Sequence, residues 1–195
     1  MPAPGKQLSR LALHIRRWSE CTACILCERR KNVVLGRGEV PCDVLFIGEA
    51  PGHSEDVVGG AFEGPAGRLL DRLIDRAMPP GQSLRIAFTN LVCCIPLDDD
   101  GNKTHTPTAE SVVACTPRLV EFVGLAAPVL IVCIGDPAWR WVPKALSRPA
   151  DKLIKLAHIV HPSAILQAPE AQQGLLVREA IMALTSAIET IPQRI

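Results

Sequence analysis

Four short segments of continuous apolar, mostly β-branched residues constrain the fold of this chain more than any other feature. They cover residues 43–48, 85–92, 129–135 and 157–161. Strands with continuous rather than alternating apolar residues are typical of parallel sheets that are covered on both faces. We therefore expect these segments to form a parallel sheet in the interior of the protein.

Amphipathic helical patterns alternate with the predicted strands. Apolar residues recur at helical spacing in residues 8–18, 69–77, 110–123, 136–146 and 170–188. This alternation predicts an α/β protein of three layers, α/β/α, with a central, mainly parallel four-stranded sheet and right-handed crossovers. A chain of 195 residues, 48% of them hydrophobic, is long enough to form one domain over residues 1–195 with a sizeable core.

Charge and composition exclude several function classes. The chain has 21 Lys and Arg residues against 20 Asp and Glu residues. This balance excludes nucleic-acid binding driven by overall charge, but it does not exclude a local basic face. Residues 1–40 carry eight basic and three acidic side chains, which form either a DNA-contacting face or a solvated one. With no Tyr and four Phe, the chain lacks the aromatic platform of most single-strand binders.

The N-terminal residues show no apolar signal-peptide core, and Pro128 interrupts the longest apolar run, residues 123–135. We therefore expect a cytoplasmic protein, nucleoid-associated when engaged on DNA, with no membrane partner. Disulfides are rare in that compartment, so metal ligation or redox chemistry explains clustered cysteines better than a disulfide framework.

Six of the eight cysteines are clustered in sequence: Cys21, Cys24 and Cys27, then Cys93, Cys94 and Cys115. Two residues between cysteines allow both sulfurs to face one ion or cluster from a single turn. The alternative is that these are buried structural cysteines. We expect that structural role for Cys42 and Cys133, which lie within or beside apolar strands.

Polar residues follow or end three of the predicted strands. They are Glu49 within the loop Gly48-Glu49-Ala50-Pro51-Gly52, then Asn90, and finally His161 in His161-Pro162-Ser163. Because parallel sheets bind ligands at the carboxyl ends of their strands, we expect these groups to converge on one site. Each also has a structural explanation: a rigid turn, a buried amide bonded to backbone, and a helix cap.

Seven motifs occur in an order that resembles the uracil-DNA glycosylase superfamily, most closely its iron–sulfur group, family 4. They are CTACILCERRKNVVLGRG, FIGEAPGHSED, AFEGPAGRLLDRLI, TNLVCC, TPTAESVVACTPRL, VLIVCIGDPA and IVHPSAIL. The resemblance covers about residues 18–190. It implies a monomeric hydrolase that excises uracil from DNA and leaves an abasic site for base excision repair. It also implies a structural [4Fe-4S] cluster.

The resemblance also implies roles for individual residues. Glu49 matches the residue that positions the water, and His161 matches the histidine that faces uracil O2. Phe62 matches the aromatic that stacks on uracil, Asn90 the amide that reads the base, and Glu55 a residue that crowds the C5 side. The matching motifs further assign Gly48, Ala50, Pro51 and Ser163 to substrate binding, and Cys21, Cys24, Cys94 and Cys115 to the cluster.

The chain departs from the family pattern at several positions. Ala50 lies where other families carry an Asp, Pro65 where an Arg is usual, and Ala164 where a Tyr is usual. The longer segment ending in His105 resembles the superfamily's X group, whose loop His bonds covalently to deoxyribose. Three alternatives therefore remain: a covalent trap using His105, a non-catalytic paralogue that binds uracil-containing or modified DNA or a protein, and a zinc protein with an unrelated site. Because the paired arginines of that loop are missing, we expect turnover without an adduct.

Overall fold

A mixed sheet forms the centre of the computed structural model, which describes residues 4–147 and 153–192. Within these residues five strands are ordered β1-β3-β2-β4-β5. Their bounds are Arg37–Gly38 (β1), Val44–Gly48 (β2), Ile86–Asn90 (β3), Leu130–Ile134 (β4) and Lys155–Ile159 (β5). Strands β2 to β5 pair in parallel, which confirms the four predicted strands.

The prediction of only four strands was wrong, because β1 adds a short edge strand antiparallel to β3. Its two residues, Arg37 and Gly38, carry no apolar pattern, so hydrophobicity gave no signal for it. The predicted last strand also ends early, at Ile159 rather than at His161. His161 is instead the N-cap of a helix that begins at Pro162. A proline cannot donate to a β-ladder but is well suited to the first turn of a helix.

Seven α-helices and one 3₁₀ helix lie in the described residues. They are Pro4–Trp18 (α1), His53–Val58 (α2), Pro65–Ala77 (α3), Ala109–Ala126 (α4), Gly135–Ala145 (α5), Pro162–Gln167 (α6), Glu170–Glu189 (α7) and the 3₁₀ helix Ile25–Glu28. The five predicted helices are confirmed. Helices α2 and α6 and the 3₁₀ helix are too short to show a helical period. No helix in this part of the chain is long and apolar enough to cross a membrane.

Both faces of the sheet are covered. Alternate residues of β2 point to opposite faces, and every residue of the strand is buried. Val44 and Phe46 pack in a core with side chains of α3, α6 and α7. Leu45 and Ile47 pack in a second core with side chains of α4 and α5. This confirms the three-layer α/β/α architecture.

The connections of the sheet create a crevice at the carboxyl ends of its strands. The chain leaves β2 for β3 on one side and then crosses to β4 on the other side of β2. Ligands in open α/β sheets bind where the strand order reverses in this way. The loop that begins at Glu49 lies at this point.

Candidate active site and cysteine pocket

A pocket of about 270 Å³ lies at the carboxyl ends of β2 and β3. It brings together eight of the predicted site residues: Glu49, Ala50, Pro51, Glu55, Phe62, Asn90, His161 and Ser163. Sequence reasoning did not assign five other lining residues to it: Gly52, Ala66, Pro96, Thr104 and Gln167. Gly52 and Ala66 lie inside the quoted motifs and could have been included. Gln167 carries no sequence signal, because it reaches the pocket only through the unpredicted α6.

Gly48 lies beneath this pocket rather than among its lining residues. A Cβ atom at this position would come within 2.6 Å of both Asn90 Oδ1 and Phe62 Cζ. Gly48 therefore allows these two side chains to pack against the end of β2. Because Gly48 has no side chain, the side chains of Asn90 and Phe62 can occupy this space.

The ladder between β2 and β3 places Glu49 beside Asn90. Gly48 is in register with Asn90, and the amide of Val92 donates to the carbonyl of Glu49 at 3.1 Å. The Glu49 carboxyl is half-buried, and this burial raises its pKa. Asn90 is only 2% exposed, and no described residue hydrogen-bonds its carboxamide. The site therefore presents a carboxylate and an amide whose hydrogen-bonding capacity remains for a ligand.

The hydrogen bonds of His161 define which ring nitrogen carries the proton. The backbone N–H of Ser163, which can only donate, lies 3.1 Å from His161 Nδ1. Nδ1 is therefore the acceptor, and in the neutral ring the proton is on Nε2. Burial lowers the pKa of His161, against a smaller opposing effect of the Glu55 charge. The pocket thus contains a neutral imidazole that donates from Nε2.

Phe62 is held in an unusual backbone conformation. Its φ of 58° lies in the left-handed region, which bulky residues rarely adopt. Arg37 stabilises the turn by donating from Nε to the carbonyl of Ala61 at 2.7 Å and by pairing with Asp71 at 2.6 Å. A Cβ at Gly67 would lie 1.7 Å from the Phe62 carbonyl oxygen, so the turn requires a glycine there. The ring is thereby fixed before any ligand arrives.

The acidic residues Glu55 and Asp56 bind backbone amides. Glu55 accepts from the amide of Gly52 at 3.1 Å and from that of Gly64 at 2.7 Å, so it joins the two loops that line the pocket. Asp56 is buried and accepts from the amide of Lys31 at 2.9 Å. Glu55 lines the pocket, but both its oxygens are already engaged. The structure therefore shows that Glu55 joins the two loops. Its crowding of the C5 side of uracil stays a prediction.

The insertion that ends in His105 forms a further wall of the pocket. Leu97 and Thr104 form an isolated β-bridge, and Asp98 accepts from the amides of Asn102 and Lys103. These hydrogen bonds lower the pKa of the Asp98 carboxyl, and the one from the Lys103 amide has the largest effect. Arg29 donates to the carbonyls of Asp98 and Asp99. The acidic loop is therefore folded on itself and joined to the cysteine-rich segment.

His105 contacts backbone through both ring nitrogens. Nδ1 lies 2.8 Å from the carbonyl oxygen of Thr106, and Nε2 lies 3.1 Å from that of Leu97. Carbonyl oxygens only accept, so whichever ring nitrogen carries the proton donates to its neighbouring carbonyl. Neither ring nitrogen directs a free lone pair into the pocket.

A second pocket gathers five cysteines: Cys21, Cys24, Cys93, Cys94 and Cys115. Cys27 is not among its lining residues. Cys42 and Cys133 lie in the core, 1% and 0% exposed, and burial raises the pKa of each thiol to about 12. They are the buried structural cysteines expected from their strand positions.

Two guanidinium groups face the sulfurs of this pocket. Arg30 Nη1 lies 3.4 Å from Cys94 Sγ, and Arg118 Nη2 lies 3.8 Å from Cys115 Sγ. The pKa of Cys115 is lowered to about 5, mainly by a hydrogen bond from Cys93 and also by Arg118. Burial raises the pKa of Cys94 to about 11, so its thiol needs a bound cation to lose its proton near neutral pH.

The pocket is not arranged for a single metal ion. Among the described residues, no group of three His, Cys, Asp or Glu residues is placed to bind one. In a [4Fe-4S] cluster each cysteine binds a different iron, so the four ligands lie farther apart than those of a single ion. Four cysteines from three segments, with two arginines beside the sulfurs of Cys94 and Cys115, fit a cluster of this kind.

Comparisons with known proteins agree with this geometry. The model of the uracil DNA glycosylase superfamily matches residues 35–185. The chain is 33% identical to the type-4 uracil-DNA glycosylase of Pyrobaculum aerophilum over 166 residues, 76% of this chain and 81% of that protein. It is 32% identical to the type-4 uracil-DNA glycosylase of Thermotoga maritima over 183 residues, 89% of this chain and 92% of that protein.

Structure comparison supports the fold. The crystal structure of SMUG2 from Pedobacter heparinus superposes with a TM-score of 0.57 at 12% sequence identity, covering 75% of this chain and 76% of that one. At this identity the likeness concerns the fold alone. From the family match and the identities to its type-4 members, we conclude that the chain belongs to the uracil-DNA glycosylase superfamily.

Proposed function

We propose that this protein hydrolyses the N-glycosidic bond of uracil in DNA and leaves an abasic site for repair. The observation that carries the proposal is the pocket that combines Glu49, Asn90 and His161 with the fixed ring of Phe62. The relatives named type-4 uracil-DNA glycosylases support it. The substrate is a uracil nucleotide that has been flipped out of the DNA stack.

The pocket residues match the charges that develop during this reaction. Cleavage of the glycosidic bond builds negative charge on uracil and positive charge on the sugar. The Nε2–H of His161 donates to uracil O2, where negative charge develops, and acts like an oxyanion-hole donor. The carboxylate of Glu49 orients the attacking water and offsets the positive charge of the sugar.

The remaining residues select and retain the base. The free carboxamide of Asn90 accepts from uracil N3–H and donates to O4, a pattern that cytosine does not present. The ring of Phe62 stacks on the flipped base, a contact that contributes about 1–3 kcal/mol in nucleic-acid complexes. Because Arg37 and two glycines, Gly48 and Gly67, fix the turn and ring of Phe62, that ring needs little ordering when the base enters.

A gel assay with single- and double-stranded uracil-containing oligonucleotides tests the proposal. We expect release of free uracil and a strand that alkali cleaves at the abasic site. A matched oligonucleotide with thymine should remain intact. Retention of the uracil strand without cleavage would replace the proposal with a non-catalytic binding role.

The same assay on a denaturing gel tests the covalent trap, which the position of His105 in the pocket wall favours. A trapping His needs a free nitrogen lone pair to attack C1′ of the sugar. Both nitrogens of His105 face carbonyl oxygens, so we expect no heat-stable protein–DNA band. A band in the wild type that disappears in His105→Ala would show instead that this His is the nucleophile.

We further propose that Cys21, Cys24, Cys94 and Cys115 bind a [4Fe-4S] cluster. Their common pocket and the flanking Arg30 and Arg118 support this assignment. The cluster would supply a structural crosslink between the segment after α1, the loop after β3 and helix α4. Cys93 supports the site through its hydrogen bond to Cys115 rather than as a ligand.

Replacing single cysteines tests this ligand set. We expect Cys94→Ser to lose the brown colour and bound iron of an iron–sulfur protein and to unfold at a lower temperature. Cys27→Ser is the matched control, because Cys27 does not line the pocket, and it should keep both. Cys93→Ser should also keep the iron. Equal loss from Cys93→Ser and Cys94→Ser would mean that the ligand set is wrong.

A further inference from the structure

We propose that Arg118 is a positioning residue that connects the cysteine pocket to the base-reading end of β3. One buried guanidinium contacts both Cys115 and the backbone of Asn90. This inference rests on the proposed function, because it assigns to Arg118 an effect on uracil recognition through Asn90.

The guanidinium of Arg118 contacts three consecutive residues at the end of β3. The side chain is 1% exposed and extends from α4. It donates to Thr89 Oγ1 at 2.7 Å, to the carbonyl of Asn90 at 2.5 Å and to the carbonyl of Leu91 at 3.1 Å. These hydrogen bonds lie where β3 ends. Beyond this point the strand ladder no longer holds the backbone, so other groups must do so.

The guanidinium of Arg118 also contacts the cysteine pocket. No carboxylate of the described residues pairs with it, and its Nε atom has no hydrogen-bond partner there. A buried charge is costly unless an opposite charge lies nearby. Its hydrogen bonds to Thr89, Asn90 and Leu91 and the contact of Nη2 with Cys115 Sγ at 3.8 Å therefore hold it in place. The same guanidinium thus lies between the cysteine pocket and the end of β3.

Asn90 depends on this support because its own side chain has no such contact. No described residue hydrogen-bonds the carboxamide, so its position follows from its backbone and from packing on Phe62 and Gly48. Arg118 holds that backbone from the opposite side. Loss of its contacts should therefore displace the amide relative to uracil without removing any group from the pocket.

Two substitutions weaken the contacts while the cysteines remain. Arg118→Lys keeps the positive charge, but a single ammonium cannot reproduce the planar fork of donors. Thr89→Val removes one acceptor of the guanidinium and the donor to the Leu35 carbonyl at nearly constant volume. Thr89→Ser is its matched control, because it keeps the hydroxyl. We expect Arg118→Lys and Thr89→Val to keep their visible absorbance and iron. Each should lower kcat/KM for uracil excision about ten-fold, as expected when a buried hydrogen bond is lost.

Double variants test whether these effects pass through Asn90. In an Asn90→Ala background, Arg118→Lys and Thr89→Val should cause little further loss, whereas in a Phe62→Ala background the losses should multiply. Affinity for an oligonucleotide with a non-hydrolysable 2′-fluoro-deoxyuridine should follow the same pattern. If Arg118→Lys does not fold, the comparison of Thr89→Val with Thr89→Ser decides alone.

The outcomes separate this inference from the proposed function. Multiplying losses in both backgrounds, or equal activity of Thr89→Val and Thr89→Ser, would overturn the role of Arg118. Loss of iron in both Arg118→Lys and Thr89→Val would mean that Arg118 stabilises the cluster rather than positioning Asn90. A wild type that neither cleaves nor binds the oligonucleotides would instead contradict the proposed function.

Discussion

Replacing Glu49 with Gln should lower the single-turnover rate of uracil excision roughly 100- to 10,000-fold, the range expected when a general base or a charge-stabilising group is lost. The amide keeps the size of the side chain but cannot accept a proton from water or offset the positive charge on the sugar. Since Glu49 lies directly after β2, where Gly48 pairs with Asn90, the substitution leaves the strand ladder intact. Uracil binding should therefore change much less than the rate.

The pH dependence of the wild type provides a second measurement on this residue. Burial raises the pKa of Glu49 above its ordinary value of 4.5, and only the ionised form orients water. The rate should fall as the pH drops through this raised pKa and should be constant above it. In Glu49→Gln the remaining slow reaction should lose this acidic limb.

Glu179→Gln is a matched control for this prediction, because it makes the same chemical change away from the site. Glu179 is an exposed carboxylate of α7 and lines neither the uracil pocket nor the cavity next to it that Glu49 and His161 also line. Its amide variant should excise uracil at nearly the wild-type rate. If Glu49→Gln does so as well, the water is activated by another group.

The sequence was sufficient to predict the parts of the fold that depend on hydrophobic pattern. The continuous apolar residues of β2 and β4 indicated strands that are buried on both faces, and the structure confirms this. Parallel pairing then implied that groups after β2 and at the end of β3 meet, because the carboxyl ends of such strands share one edge. Glu49 and Asn90 indeed lie in one pocket.

Contacts between residues distant in sequence could not be predicted in this way. Arg37 contacts the carbonyl of Ala61, 24 residues later, and pairs with Asp71. Nothing in the Arg37-Gly38 dipeptide indicates that it forms an edge strand whose arginine fixes the turn of Phe62. Likewise, the apolar pattern of α4 does not reveal that its buried face carries a charged residue, Arg118. Both depend on partners that only the folded chain brings close.

The sequence was sufficient to assign Glu55 to the pocket, but not to predict its hydrogen bonds. The resemblance assigned Glu55 to the C5 side of uracil, and Asp56 follows it directly in the sequence. The structure explains why both are acidic, because their carboxylates accept from backbone amides of the surrounding loops. Such bonds leave no trace in hydrophobic periodicity, since they depend on where loops lie in space.

Replacing His161 with Ala should lower the excision rate by roughly 100- to 10,000-fold, as expected for the loss of a donor to developing negative charge. The neutral ring donates from Nε2 because Nδ1 accepts from the amide of Ser163 at 3.1 Å. In the ground state uracil O2 is neutral, so this hydrogen bond strengthens as the glycosidic bond breaks. The loss should therefore appear in the single-turnover rate more than in affinity for a non-hydrolysable uracil oligonucleotide.

Ser163→Ala is the matched control that tests the assignment of the ring proton. The hydroxyl of Ser163 lies 2.7 Å from His161 Nδ1, but the backbone N–H that requires Nδ1 to accept remains in the Ala variant. We therefore expect Ser163→Ala to keep a rate within about ten-fold of the wild type, the effect of one modest hydrogen bond. Equal losses in Ser163→Ala and His161→Ala would show that the hydroxyl orients the ring. A near wild-type rate in His161→Ala would mean that another group stabilises the charge on uracil.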